Sequence, residues 1–310
     1  MKPSHRPLIL YAYSETASAH DNLDFFITHG LHGAADFLFI MNGETNDWQL
    51  LPNETNIRYV QRPNDCYDLG AYAEILQGPS PSDPKVPLYK SYKQFILLNA
   101  SIRGPFLPYW AESCWSEIYL SKVTQDTKVE DHAPLLANLP FLPLLFRARL
   151  ARLTISHLQL VGMTGNCWPQ FHVQSMIWAT DAVGVELLLF PPQPTPTQEI
   201  PTPEPVVGIN SCFHTWDQAV NAEIHASKII TDAGYKLDLM MTAFHGIDKY
   251  AEGCDTSVPG DVLYNGHYHG TNVHPYETIF LKTNRGIDPV LMDRLTDWTH
   301  GRNYTSWDMC

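Results

Sequence analysis

The chain has 310 residues, 20 Lys+Arg against 33 Asp+Glu, and a formal net charge of −13 with histidine counted neutral. Its composition, 44% hydrophobic and 12% aromatic, is too apolar for disorder, and a chain of this length needs no staples to build a core. The acidic balance argues against a nucleic-acid backbone or an anionic membrane as the main partner.

In chain order, residues 8–13 (LILYAY) read as a buried strand and Asp21–His29 as a helix stopped by Gly30. The apolar run near the N-terminus is five residues long, too short for the core of a signal peptide. Residues 36–41 (DFLFIM) predict a second strand, closed by the turn Asn42-Gly43. Residues 57–61 (IRYVQ) predict a third strand, followed by a polar loop and a helix that begins near Asp68, with Asp68 as its N-cap. Residues 94–98 (QFILL) make a continuous apolar strand with Gly104-Pro105 beyond it. This alternation predicts an α/β fold, a Rossmann-type mostly parallel sheet flanked by helices. The site is then expected in the loops at the carboxyl ends of the strands.

Two stretches, 77–87 and 191–205, are proline-rich surface insertions, and 129–157 lacks any periodicity and reads as an irregular insertion. In the second half, 172–178 (HVQSMIW) reads as a strand with His172 and Gln174 on one face, and 185–190 is a further apolar segment. Thr215-Trp-Asp-Gln218 is a capping box, and Gly234 ends the helix it opens. Six scattered cysteines without a CxxC pair leave two states open, three disulfides or free thiols. Asn53, Asn99 and Asn303 head Asn-x-Ser/Thr triplets. No segment reaches the ~18–20 uninterrupted apolar residues of a membrane span. The chain is expected to be soluble as given, either cytoplasmic or a lumenal domain whose anchor lies outside this sequence.

Five segments in order, with a sixth near the C-terminus, carry a family resemblance. They are Tyr11-Ala-Tyr-Ser-Glu15, Arg62-Pro-Asn-Asp-Cys-Tyr-Asp-Leu-Gly-Ala71, Phe95–Pro105 (FILLNASIRGP), His172-Val-Gln-Ser175, Ala222-Glu223 with its helix through Gly234-Tyr235, and His274–Lys282. Together they resemble GT-A-type glycosyltransferases, and among them the rhamnan synthesis F family. The resemblance implies one domain over 1–310, with a nucleotide-sugar-binding half at 1–125 and an acceptor and catalytic half at 158–310. It implies sugar transfer from a nucleotide-sugar donor to a glycan or other hydroxyl acceptor.

On that resemblance Glu223 is the general base of an inverting displacement, kept ionised by the helix dipole. Tyr13 and Glu15 are placed to stack on the base and bond the ribose, and Asn64, Asp65 and Asp68 to touch donor hydroxyls. Asn99, Ser101 and Arg103 follow the central strand, where such enzymes carry Asp-x-Asp. Asn99-Ala100-Ser101 offers no carboxylate there, which puts a Mg²⁺ or Mn²⁺ cofactor in doubt. The diphosphate then needs cationic side chains, and Arg62, Arg103, Lys282 and Arg285 are the candidates; the alternative for Arg103 is a surface ion pair. His172 and Gln174 are read toward the acceptor, His267 and His269 as loop histidines, and His274 toward diphosphate or metal. Two rivals stand beside this reading. One is a metal-dependent hydrolase using histidines with Asp65, Asp68, Asp255 or Asp261. The other is a carbohydrate-binding protein on a degenerate transferase fold.

Overall fold

The computed structural model describes residues 3–123, 158–197, 203–257, 260–302 and 305–310. The irregular insertion expected at 129–157, the Asn303 triplet and part of the second proline-rich stretch lie outside the described residues.

One seven-stranded sheet organises the chain, and its strands are labelled here β1 (Leu8–Ser14), β2 (Asp36–Asn42), β3 (Ile57–Arg62), β4 (Gln94–Asn99), β5 (Leu158–Gly162), β6 (Ile177–Asp181) and β7 (Lys236–Leu239). Their order across the sheet is β7-β5-β6-β4-β1-β2-β3. β1 pairs in parallel with β2 and β4, β2 with β3, and β5 with β7; β6 alone runs against its neighbours. The sheet is thus mostly parallel and draws strands from both halves of the sequence. β1 sits centrally and is buried at every position but its last, which is why LILYAY carries no polar alternation.

The chain leaves β1 toward β2 on one side and returns to β4 on the other. At that reversal the loops after the parallel strands splay apart and open a crevice. β6 enters from the opposite direction, so the start of β6 joins the carboxyl ends of β1, β2 and β4 along the same edge.

The helices are labelled in turn α1 (Ala17–His29), α2 (Tyr67–Gln77), α3 (Trp115–Leu120), α4 (Ala182–Leu189), α5 (Trp216–Asp232) and α6 (Pro289–Gly301). α1 starts a turn earlier than the sequence suggests, because the Thr16 side chain accepts from the Ala19 N–H at 3.1 Å. The apolar segment 185–190 falls in a helix: Asp181 accepts from the Val183 and Gly184 N–H groups at 2.8 and 3.0 Å and starts α4 directly at the end of β6. The proline-rich stretch 77–87 forms a short antiparallel ribbon, Pro79–Ser80 with Asp83–Pro87.

The strand expected at 172–178 is broken in two, His172–Val173 and Ile177–Asp181. The backbone donors between them are claimed elsewhere. Val173 N–H donates to Ser227 Oγ at 2.8 Å, Gln174 N–H to Thr164 O at 3.0 Å and Ser175 N–H to a Glu223 oxygen at 2.9 Å. Ser227 and Glu223 lie four residues apart on α5, so one helix face replaces a ladder partner for this segment. The crossing is close: a Cβ on Gly162 of β5 would stand 2.1 Å from Val173 Cγ1. Gly162→Ala is accordingly expected to lower stability by about 1–3 kcal/mol. Urea unfolding of the variant checks this.

All six cysteines are paired, as Cys66–Cys212, Cys114–Cys310 and Cys167–Cys254. No helix among the described residues is long and apolar enough to cross a membrane.

Candidate functional site

A cavity of 460 Å³ opens where the strand order reverses. Its floor comes from β1 and its continuation, from Asn42 at the end of β2, and from Asn99, Ala100 and Ser101 after β4. Tyr67, Asp68 and Leu69 of the first turn of α2 form one wall, and Trp216, Ala219, Val220 and Glu223 of α5 another. The α5 residues are spaced i, i+3, i+4, i+7, one helical face turned to the cavity.

Asp68 is not the N-cap of α2. Cys66 holds that position and makes no side-chain capping bond, while Asp68 lies one residue inside the helix. Its carboxylate accepts from the Asn99 amide at 2.5 Å and from the Leu69 N–H at 2.9 Å. Asn99 accepts in turn from the Ser101 N–H and hydroxyl at 3.1 and 2.6 Å, so the Asn-Ala-Ser turn is wired to Asp68. Burial pushes the Asp68 carboxyl upward, against these bonds and the nearby positive charge of Lys282.

Glu223 is the eighth residue of α5, beyond the first turn where the helix dipole acts. The dipole does not keep it ionised. Burial raises its pKa from 4.5 to about 7, with the Ser175 N–H and Lys282 pulling the other way and Asp68 adding to the rise. A carboxyl poised near neutrality is suited to taking and releasing a proton.

A second cavity, of 490 Å³, adjoins the first, and Met176, Trp216, Val220, Glu223 and Lys282 line both. The far wall of the second cavity holds His172, Gln174, Asp261, Tyr264, His267 and Arg285. Gln174 is fixed at both ends, accepting from the Thr164 hydroxyl at 2.8 Å and donating to Asp261 at 3.0 Å. His172 Nδ1 meets the Gln170 carbonyl at 2.8 Å, and burial lowers its pKa, so the ring is neutral with Nε2 left as acceptor.

Of the residues expected at the site, Tyr13, Asn64, Asp68, Asn99, Ser101, Glu223 and Lys282 line the first cavity, and His172, Gln174, His267 and Arg285 the second. Several do something else. Tyr13 is fully buried, its hydroxyl between the carboxylates of Glu15 (2.8 Å) and Asp47, so its ring is not free to stack on a base. Glu15 also accepts from Thr45 and lies outside the cavity lining. Asp65 pairs with Arg62 at 3.0 Å. Arg62 is itself buried and saturated, donating to Asn42, the Pro63 carbonyl, Asp65 and Glu74, and cannot meet a diphosphate. Arg103 likewise faces away: it donates to Asn22 at 2.9 Å and pairs with Asp21 at 3.7 Å. Asn22 in turn donates to the Ala100 carbonyl at 2.9 Å, so Arg103 braces the cavity floor from behind. His274 caps the short helix Pro275–Thr278 by accepting from the Tyr276 N–H and lines neither cavity.

Lys282 is the cation left to the first cavity. It sits in a two-residue strand that pairs with Ile102–Arg103, and it enters none of the ion pairs among the described residues. Trp216, Trp168 and Tyr264 were not singled out by the sequence. The 216/219/220/223 spacing is the signal that finds the first of them.

The residues after β4 do not fit a divalent cation: they contribute two neutral side chains, with a single carboxylate near them, Asp68, which already accepts from the Asn99 amide. Elsewhere among the described residues, two groups of metal-ligating types contain disulfide cysteines. The third, Glu15, His20 and Asp47, is hydrogen-bonded within itself through Tyr13 and lines neither cavity. Among the described residues none of these groups uses Asp68, Asp255 or Asp261, and the one that contains Asp65 shares it with the disulfide cysteines Cys66 and Cys212. In comparisons with known proteins the chain matches no family model, and no curated protein matches it significantly.

Proposed function

We propose that the chain is a GT-A-like glycosyltransferase that moves a sugar from a nucleotide-sugar donor to an acceptor hydroxyl. The observation that carries this reading is the two-chambered crevice at the strand ends, with Glu223 and Lys282 at the passage between the chambers. A transferase needs two adjoining sites, a proton acceptor between them and positive charge for the leaving diphosphate.

In this reading the nucleotide lies in the first chamber, with Asn64 and Asp68 toward its hydroxyls and Lys282 on the diphosphate. Glu223, as carboxylate, takes the proton of the acceptor hydroxyl as its oxygen bonds the anomeric carbon. The bond from that carbon to the phosphate oxygen breaks on the opposite face, and the nucleoside diphosphate leaves with the electron pair. No metal enters this scheme; Lys282 supplies a single positive charge in its place.

Titration calorimetry with UDP-, GDP- and dTDP-sugars tests the proposal. Binding of one of these donors is expected, and failure of all of them to bind would overturn it. Lys282→Met is expected to weaken binding of the matching nucleoside diphosphate by roughly 10- to 100-fold, the worth of one charge-assisted contact. The Asn-Ala-Ser turn also supports a non-catalytic binding protein. Donor binding without turnover, unchanged in Glu223→Gln, identifies that case.

A further inference from the structure

The second chamber has a chemistry of its own. Three large aromatic side chains that line it remain exposed, Trp168 at 40%, Trp216 at 64% and Tyr264 at 42%. Exposed rings are costly on a monomer's surface unless something covers them. Here they stand among polar groups that are already fixed. Asp261 accepts from Gln174 and from the Leu263 N–H (2.9 Å), and Arg285 lies 3.5 Å from its other oxygen. The Arg285 guanidinium also lies 4.4 Å over the Tyr264 ring. Asn166 accepts from the Trp168 N–H at 3.0 Å and sets the turn that presents that indole. The Cys167–Cys254 disulfide ties this turn to the segment that leads to Asp261 and Tyr264.

Rings beside rigid, neutralised polar pairs select a ligand with apolar faces and a hydroxylated rim. Such a ligand is a pyranose, whose axial C–H faces lie on aromatic rings while its hydroxyls bond amide, carboxylate and imidazole groups. An acyl chain would cover the His172 Nε2 acceptor without satisfying it, at a cost. An anionic group would compete with Asp261 for Arg285. The volume of 490 Å³ is within the range of roughly 300–1,000 Å³ that ligand cavities occupy.

We infer that this chamber is a binding site for a neutral saccharide, which rests on the transferase reading for its role as acceptor: the sugar lies on Trp168, Trp216 and Tyr264, with one hydroxyl at Glu223. The acceptor is thus a sugar chain or glycoside, not a protein hydroxyl or water.

Intrinsic tryptophan fluorescence is titrated with cellotetraose, xylotetraose, mannotetraose and the methyl glycosides of glucose, galactose and rhamnose, without nucleotide. At least one is expected to bind. Tyr264→Ala and Trp168→Ala are each expected to weaken that binding about tenfold or more, while calorimetric binding of the nucleoside diphosphate in the first chamber is unchanged. Tyr264→Phe, which keeps the ring, is expected to keep the affinity and controls for misfolding. Nucleotide-sugar binding with no response to any saccharide overturns the saccharide site and leaves the transferase reading intact. Saccharide binding undiminished in both alanine variants also overturns it. Saccharide binding weakened by those variants, in a protein that binds no nucleotide sugar, sustains the site and overturns the transferase reading instead.

Discussion

Glu223→Gln is expected to lower sugar transfer by about 10²–10⁴-fold, the usual worth of a positioned general base, while donor binding persists. It is also expected to make the protein more stable above neutral pH. The folded-state pKa of Glu223 is about 7, above its ordinary 4.5, so the native state holds this proton more tightly than the unfolded chain does. The stability linked to that proton is complete below pH 4.5 and is lost as pH rises through about 7. A pKa of about 7 in place of 4.5 corresponds to roughly 3 kcal/mol at full loss. An amide carries no charge to desolvate and can still accept from Ser175, so urea unfolding at pH 8 should show most of that difference, and at pH 4 almost none. The wild-type transfer rate should fall as pH drops below about 7, when Glu223 takes up its proton. A variant that keeps wild-type turnover would remove Glu223 from the chemistry, and one whose stability differs from wild type equally at both pH values would overturn the raised pKa. Coupling of activity to instability is what a buried, half-ionised carboxylate entails.

The first half of the fold could be read almost residue by residue, because β1, β2 and β4 are continuous apolar runs and their closing loops are polar. Buried parallel strands leave that mark, and the position of the crevice follows from their order. The second half was less transparent for a physical reason. Residues 172–178 alternate like a strand, but their N–H groups bond the Thr164 carbonyl and two side chains of α5, contacts between segments far apart in sequence. Charge was equally misleading. Arg62 and Arg103 follow strands as phosphate ligands would, yet each is consumed by carboxylates and amides nearby. Lys282 lies far along the chain, and only the pairing of Leu281–Lys282 with Ile102–Arg103 brings it to the cavity. The environment of Glu223 was misread for the same reason: helix position is local, whereas its burial, its bond from the Ser175 N–H and the charges of Lys282 and Asp68 come from the tertiary fold.

Cys66→Ser/Cys212→Ser is expected to cost roughly 2–5 kcal/mol of stability, since the cross-link closes a separation of 146 residues in the unfolded chain. Its second effect is on the site. Cys66 immediately precedes the α2 turn that carries Tyr67, Asp68 and Leu69, and Cys212 lies just before α5 with Trp216, Val220 and Glu223. The bond therefore ties the two walls of the first chamber together. Gly70 marks how close they lie, since a Cβ there would meet the Ser211 carbonyl oxygen at 2.7 Å. Without the cross-link the walls are held by packing and by the Gln77–Asn210 hydrogen bond, and nucleoside diphosphate binding should weaken at temperatures where the protein is still folded. Cys114→Ser/Cys310→Ser provides the contrast. It closes 196 residues but joins the start of α3 to the C-terminus, away from both chambers, so it should lower stability and leave nucleotide affinity unchanged. Chemical denaturation and calorimetry on the two double variants, each below its unfolding transition, separate the effects. Equal losses of affinity in both would mean that the cross-links act on global stability alone and that α2 and α5 hold their spacing without the bond.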